Sequence, residues 1–164
     1  MKIEPGLKQM NEKIKIREAK AEDITEVFNL IKELSVYEKL EYAVTATEEL
    51  LKESLFGGKQ YAEVLLAEYE GEPAGMALYF HNFSTFVGKP GIYLEDLYVR
   101  PHLRGKGIGK LLLKKLIALA KERNCGRVEW AVLDWNTPAI DFYKSMGAVP
   151  MDEWTIFRLT EDKF

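Results

Sequence analysis

Residues 99–110, VRPHLRGKGIGK in one-letter code, join a strand-like apolar run to a long amphipathic run. The apolar run ends at Val99, and the amphipathic run extends from Gly107 to about Arg123 with apolar residues at helical spacing. The glycines of this stretch leave backbone N–H groups unhindered, and the positive end of the following helix lies behind them. The stretch therefore predicts an anion site between a strand and a helix, and phosphate is the natural ligand.

The spacing of these glycines excludes two other phosphate-binding loops. A dinucleotide fingerprint needs a third glycine three residues after the second, where this chain has Lys110 or Leu112. A P-loop needs Ser or Thr after Gly-Lys, where Leu111 stands. Neither dinucleotide nor P-loop binding is predicted.

Hydrophobic periods on either side of the loop indicate alternating strands and helices. Helices are predicted at residues 21–37, 47–57, 107–123 and 138–146. Strands are predicted at residues 14–17, 62–69, 74–81, 91–99 and 127–133, and in a last pair around Val149 and at 154–159. The hairpin turn between the second and third strands is expected at Gly71-Glu72-Pro73. This order predicts an α/β fold, with a mixed, mostly antiparallel twisted sheet of about seven strands flanked by four helices.

The charge and composition narrow the classes of partner. With 23 basic and 26 acidic residues and a net charge of −3, the chain has no general attraction to nucleic acid or to an anionic membrane, and a small cationic substrate fits better. The single Cys125 excludes an intramolecular disulfide, and with only two histidines no Cys/His metal cluster is expected.

The first 13 residues alternate Lys and Glu with little apolar content. They lack the apolar stretch of a signal peptide or a membrane helix. We expect a flexible extension at residues 1–13, a single domain at residues 14–164, no membrane partner and a cytoplasmic location.

Two adjacent acids, Glu95 and Asp96, interrupt the apolar strand ahead of the glycine loop. Strand interiors rarely carry acids without a partner or a function. A carboxylate in this position can hold a cation or accept a proton, directly or through water. Because neighbouring strand residues face opposite sides, only one of the two acids is expected to line a site, and we favour Glu95.

The motif Arg104-x-x-Gly107-x-Gly109 resembles the pyrophosphate-binding motif of the GNAT acetyltransferase superfamily. The resemblance implies a GNAT fold with acetyl-CoA as co-substrate and no metal. It also implies that backbone groups of Leu97, Tyr98 and Val99 meet the pantetheine. The residues implied to meet the pyrophosphate are Arg104, Gly105, Lys106, Gly107, Ile108, Gly109 and Lys110.

Residues 134–148 resemble the second GNAT signature. The resemblance implies that Asn136 contacts the pantetheine region and that Tyr143 protonates the departing thiolate. A phenol is a suitable acid here because its unperturbed pKa, about 10, is near that of a thiol. The alternative for Tyr143 is a half-buried ring that only packs beside Phe142.

Five blocks, at residues 16–19, 31–40, 93–96, 104–109 and 131–136, resemble the diamine (spermidine/spermine) N-acetyltransferase subfamily. Within it, Glu38-Lys39-Leu40 and the last block are more similar to the thialysine acetyltransferase branch. The resemblance implies a homodimer. The acceptor-binding residues that it implies are Tyr37, Glu38, Glu95, Asp96, Glu153 and Trp154.

The expected activity is direct transfer of acetyl from acetyl-CoA to a primary amine of a polyamine, a diamine or a thialysine-like amino acid. Tyr143 is expected to act as the general acid, and Glu95 as the base, directly or through water. Two alternatives stay open: a non-catalytic acyl-CoA-binding sensor, and an acetyltransferase for protein or peptide amines. Glu38 also has the simpler interpretation of a solvated acid at a helix end.

Overall fold

The computed structural model describes residues 12–164, so most of the predicted N-terminal extension lies outside the described residues. The chain divides into two compact units, of which the first ends at Trp130 and the second is Ala131–Phe164. The strands of the described part are β1 Ile14–Glu18, β2 Glu63–Tyr69, β3 Glu72–Ser84, β4 Lys89–Val99 and β5 Val128–Glu129. Its α-helices are α1 Ile24–Glu38, α2 Glu48–Phe56, α3 Ile108–Glu122 and α4 Thr137–Ser145.

The first unit contains one sheet with the strand order β1-β2-β3-β4-β5. The first four strands are antiparallel neighbours, whereas β5 runs parallel to β4. The pairing of β5 with β4 is limited to Ile92 with Val128 and Tyr93 with Glu129. The predicted mixed, mostly antiparallel sheet is confirmed.

Helices cover both faces of this sheet because β2 and β3 are apolar on both faces. One face packs Val64, Leu66, Met76 and Leu78 against α1 and α2, around the fully buried Val27 and Leu30. The alternate residues Leu65, Ala67, Ala77 and Tyr79 point the other way and are also fully buried. The long helix α3 packs against β1–β4 with an apolar face of Ile108, Leu112, Leu113, Leu116 and Leu119.

A β-bulge interrupts β4 at Glu95. Leu78 pairs with Asp96 and the next residue, Tyr79, pairs with Leu94, so Glu95 has no partner of its own in the register. The bulge reverses the alternation: Ile92 and Leu94 lie on the face of Tyr79, whereas Asp96 and Tyr98 lie on the face of Leu78 and Met76. Asp96 and Tyr98 therefore face the side covered by α1.

The prediction of about seven strands is wrong by two. No strand forms at Val149 or at residues 154–159 within the described chain, and all of residues 151–164 are exposed. The predicted strand at residues 127–133 is also reduced to Val128–Glu129. A strand-like apolar run forms a strand only where a neighbouring strand can pair with it. These segments have no such neighbour within the described residues.

The turn between β2 and β3 lies one to two residues earlier than predicted. Glu70 and Gly71 form it, both with left-handed backbone at φ of 53° and 90°. Two consecutive left-handed residues suit a tight hairpin between right-twisted strands. Pro73 lies inside β3, next to a register shift at Ala67 and Glu68, where a missing N–H is tolerated.

Candidate active site

The glycine loop has the geometry expected of an anion site. Gly105 and Gly107 adopt left-handed backbone, with φ of 76° and 84°, and a Cβ atom built on either would meet nothing within 4 Å. Gly107 is the N-cap of α3, so the first amides of that helix have no acceptor within the helix and lie beside the open loop. The loop therefore offers open backbone N–H groups at the positive end of a long helix, which suits a phosphate group.

Arg104 and Lys106 of the glycine loop make cation–π contacts with aromatic rings. The guanidinium of Arg104 lies 4.2 Å from the ring centroid of Tyr37 and 5.7 Å from that of Tyr98, and its Nε donates to the backbone oxygen of Val99 at 2.9 Å. The amino group of Lys106 lies 5.2 Å from the ring of Tyr69. The contact between Arg104 and Tyr37 links the predicted cofactor loop to the predicted acceptor-binding helix, which the sequence did not indicate.

A cleft of about 370 Å³ lies on the face of β4 that the bulge turns toward α1. Its wall from α1 includes Ser35 and Glu38, and its wall from β4 consists of Glu95 and Asp96. The remaining lining residues are Ile31, Leu34, Leu40, Ala43, Val44, Thr45 and Ala46. Sequence reasoning missed Ser35 and the segment at residues 40–46, which carry no chemical signal of their own.

The end of α1 explains how the segment at residues 40–46 reaches the cleft. Lys39 adopts left-handed backbone at φ of 60°, and its N–H donates to the carbonyl oxygens of Ser35 and Val36. The N–H of Leu40 donates to the carbonyl of Ser35 at 2.8 Å. This C-cap ends the helix directly after Glu38 and turns the chain back over the cleft.

Both acids of the strand line this one cleft, so the expectation that they face opposite sides is wrong. The bulge at Glu95 is the cause, because it removes the simple alternation at that position. Burial, followed by the charges of Glu95 and Glu38, raises the pKa of Asp96 to about 7. Burial also raises the pKa of Glu38. Among the described residues, no side chain that lines the cleft carries a positive charge, so the cleft favours a cationic ligand.

Beyond the bulge, one edge of β4 pairs with no other strand among the described residues. Leu97, Tyr98 and Val99 pair with Ala77, Met76 and Gly75 of β3. On the opposite edge, pairing with β5 is confined to Ile92 and Tyr93. The backbone beyond Leu94 can therefore accept an extended ligand alongside the strand, between the cleft and the glycine loop.

The other predicted site residues belong to the second unit. Asn136 is buried and caps α4, where its side-chain oxygen accepts from the N–H of Ala139 at 3.4 Å. Tyr143 is half-buried, with its ring centroid 5.3 Å from that of Phe142. Glu153 is exposed, and Trp154 has 71% of its surface exposed.

Arg100 directly follows β4 and connects that strand to helix α1 and to the start of β3. Its guanidinium donates to Glu26 at 2.8 Å, to Glu33 at 2.8 Å and to the carbonyl of Pro73 at 2.7 Å. These bonds raise the pKa of the arginine, with the hydrogen bond to Glu33 as the largest cause. Because Arg100 directly precedes the segment that leads into the glycine loop, the network holds that loop against α1.

We expect Arg100→Met to lower the free energy of unfolding by about 1–2 kcal/mol, because the charge-assisted bonds to Glu26, Glu33 and the Pro73 carbonyl are lost at a partly exposed site. Denaturant unfolding at pH 7 and low salt measures the change. Lys114→Met, an exposed position on α3, is the matched control and should leave stability within about 0.5 kcal/mol. Equal unfolding midpoints for the two variants would contradict the prediction.

No group of three or more His, Cys, Asp and Glu side chains in residues 12–164 could hold a metal ion. None of the helices described here combines the length and hydropathy needed to cross a membrane.

Known acetyltransferases are similar to this chain in sequence and in fold. The model of the acetyltransferase (GNAT) family matches residues 24–148. A thialysine N-epsilon-acetyltransferase from Bos taurus is 42% identical over 88% of this chain and 91% of its own length. The L-ornithine N5-acetyltransferase NATA1 of Arabidopsis thaliana is 33% identical over 90% of this chain and 85% of its own length.

A solved structure of an integron cassette protein from the mobile metagenome of V. cholerae has the same fold. It superimposes with a TM-score of 0.77 at 27% sequence identity, and the match covers 92% of this chain and 94% of that one. The expected fold family and enzyme class are confirmed. The chain belongs to the GNAT acetyltransferase family.

Proposed function

We propose that the protein transfers acetyl from acetyl-CoA directly to a primary amine of a small cationic acceptor, either a diamine or polyamine or a thialysine-like amino acid. The observation that carries this proposal is the cleft at the β4 bulge. Glu38, Glu95 and Asp96 line it, and no basic side chain from residues 12–164 does. An ammonium ion in this cleft meets carboxylates from both α1 and β4.

The glycine loop and the edge of β4 supply the site for acetyl-CoA. Open amides of residues 105–110 suit its pyrophosphate, and the backbone of Leu97, Tyr98 and Val99 suits its pantetheine. When bound, acetyl-CoA supplies a thioester, whose carbonyl carbon an uncharged amine can attack. The cleft and the loop lie at the two ends of one stretch of β4, so the strand can align donor and acceptor.

Three side chains have roles in the proposed chemistry. Glu95, exposed on the bulge, receives the proton of the ammonium ion directly or through a water molecule. Tyr143 gives a proton to the departing thiolate, for which a phenol has a suitable pKa. Asn136 caps α4 and contacts the pantetheine region, while Tyr37, Glu153 and Trp154 complete the acceptor site.

A substrate panel tests the proposed function. Thiol release from acetyl-CoA is measured with spermidine, spermine, putrescine, thialysine, ornithine, lysine and a lysine-containing peptide, and the acceptors are ranked by kcat/KM. We expect the small cationic amines to lead the peptide. Binding of acetyl-CoA without thiol release for any amine would favour a non-catalytic sensor, and a preference for the peptide would favour a protein acetyltransferase.

Glu38→Gln is expected to raise KM for the cationic acceptor about fivefold, since an ion pair at a partly exposed site contributes up to about 1 kcal/mol. KM for acetyl-CoA should not change. The matched control is Glu41→Gln. Glu41 is an exposed acid three residues after Glu38, and it does not line the cleft. An equal KM for Glu38→Gln and Glu41→Gln would assign Glu38 to the solvated surface.

We also propose that the protein forms a homodimer, as the family resemblance implies. Apolar surface near the C-terminus supports this proposal: Val149, Met151, Trp154, Ile156, Phe157, Leu159 and Phe164 are each more than half exposed. Large apolar side chains left exposed together within one segment of the chain are typical of an interface. Sedimentation equilibrium measures the mass of the particle, and a monomer at micromolar concentration would contradict the proposal.

A further inference from the structure

The bulge in β4 brings into the cleft a second carboxyl group whose surroundings differ from those of Glu95. We infer that Asp96 is a further catalytic residue, which takes up the proton that the acceptor ammonium ion loses, with Glu95 passing that proton inward. The inference rests on the proposed function, because it assigns a role within the same site.

The position of Asp96 is fixed by the sheet. Its partner in the register is Leu78, which belongs to the hydrophobic core, and Leu34 of α1 lines the cleft beside it. Glu95 is exposed at the bulge, whereas Asp96 is only partly exposed. The two carboxyls thus form an outer and an inner position along one path from solvent into the cleft.

In the part of the chain that the structure describes, the charged groups that act on Asp96 are both acidic. Glu38 faces it from α1 and Glu95 from β4. The segment at residues 40–46 contributes only uncharged side chains to the cleft, and the β3 partner is a leucine. Within the described residues no hydrogen bond or salt bridge to the carboxyl of Asp96 forms, so nothing there holds it in the ionised state.

This environment matches Asp96 to the task of a proton acceptor. An ordinary aspartate, with a pKa of about 4, is a weak base toward an ammonium ion. Burial and the two neighbouring acids raise the pKa of Asp96 to about 7. Asp96 is therefore protonated below pH 7 and becomes a carboxylate, able to accept a proton, as the pH rises through 7.

The proposed step balances in atoms and charge. The acceptor R–NH₃⁺ gives one proton through Glu95 to the carboxylate of Asp96 and becomes R–NH₂. The nitrogen then forms a bond to the acetyl carbon, and the C–S bond of the thioester breaks with its electron pair on sulfur. The sulfur takes a proton from Tyr143 and leaves as a thiol, and the nitrogen gives its second proton through water to the Tyr143 phenolate. Asp96 returns its proton to solvent, so the net reaction releases one proton.

The first test follows the titration of Asp96 in the full chain without acetyl-CoA. Carbon-13 NMR of the aspartate carboxyls should show one signal that titrates near pH 7 and is missing from Asp96→Asn. Glu38→Gln removes a neighbouring negative charge and should move that midpoint to lower pH, whereas the control Glu41→Gln should not. A midpoint for Asp96 near pH 4, or one that Glu38→Gln leaves in place, would overturn the inference.

The second test is the pH dependence of kcat/KM with one fixed amine. The wild-type profile should contain an acid limb near pH 7 that moves to lower pH in Glu38→Gln. Asp96→Asn should lose that limb and about 10²–10⁴-fold in kcat at pH 8, with acetyl-CoA affinity measured by calorimetry unchanged. A wild-type rate in Asp96→Asn together with a large loss in Glu95→Gln would overturn the role of Asp96 and leave the proposed function standing.

Failure of the proposed function and failure of the inference about Asp96 give different results. Absence of thiol release from the wild-type protein with every amine would remove the proposed function, whatever the titration of Asp96 shows. Thiol release with an Asp96 that titrates as an ordinary aspartate would remove only the inference.

Discussion

Gly107→Val is expected to weaken the binding of acetyl-CoA by about 10- to 100-fold. Gly107 is the N-cap of α3 and has left-handed backbone at φ of 84°. A β-branched residue in that conformation carries a backbone strain energy of about 1–3 kcal/mol. The valine relieves the strain only if the loop moves, and such a movement turns the first amides of the helix away from the pyrophosphate. Isothermal titration calorimetry with acetyl-CoA measures the change.

Gly71→Val is the matched control for this loss of affinity. Gly71 also has left-handed backbone, at φ of 90°, with open space around the position of a Cβ atom, but it lies in the turn between β2 and β3. Both variants should lose similar amounts of stability, and only Gly107→Val should lose affinity. Equal affinity of Gly107→Val and wild type for acetyl-CoA would remove the loop from the cofactor site.

Tyr143→Phe is expected to lower kcat by about 10²–10⁴-fold, because the departing thiolate loses its proton donor. The dissociation constant of acetyl-CoA should stay unchanged, since the ring itself and its contact with Phe142 are retained. Steady-state thiol release and calorimetry on the same preparation separate the two quantities. Tyr42→Phe, at a ring that is 82% exposed, is the control and should turn over normally. Unchanged turnover in Tyr143→Phe would leave this tyrosine with a packing role only.

Helix positions were predicted well from the sequence. The predicted helix at residues 107–123 is observed as Ile108–Glu122, and its apolar residues are buried against the sheet. The second helix begins after Thr47, whose side-chain oxygen accepts from the N–H of Leu50 as the N-cap pattern predicts. Helices could be predicted because their hydrogen bonds, caps and apolar faces depend on residues within a few turns of chain.

Strands were predicted less well, because a strand is completed by a partner that is distant in sequence. Residues 154–159 are mostly apolar, with polar side chains only at Thr155 and Arg158. Ile156 is nevertheless 74% exposed, and no strand forms there within the described residues. The same limit applies to β5, which was predicted at seven residues and is observed at two.

In the candidate site, too, some features follow from local sequence and others depend on contacts between distant parts of the chain. The sequence by itself determined the glycine loop, since left-handed backbone at Gly105 and Gly107 and the helix behind them follow from local chemistry. It also identified Glu38, Glu95 and Asp96 as candidate acceptor residues. Only the tertiary structure decided that both strand carboxylates line one cleft beside Glu38. The physical reason is the register of β4 on β3, because one extra residue at Glu95 changes which face every later side chain occupies.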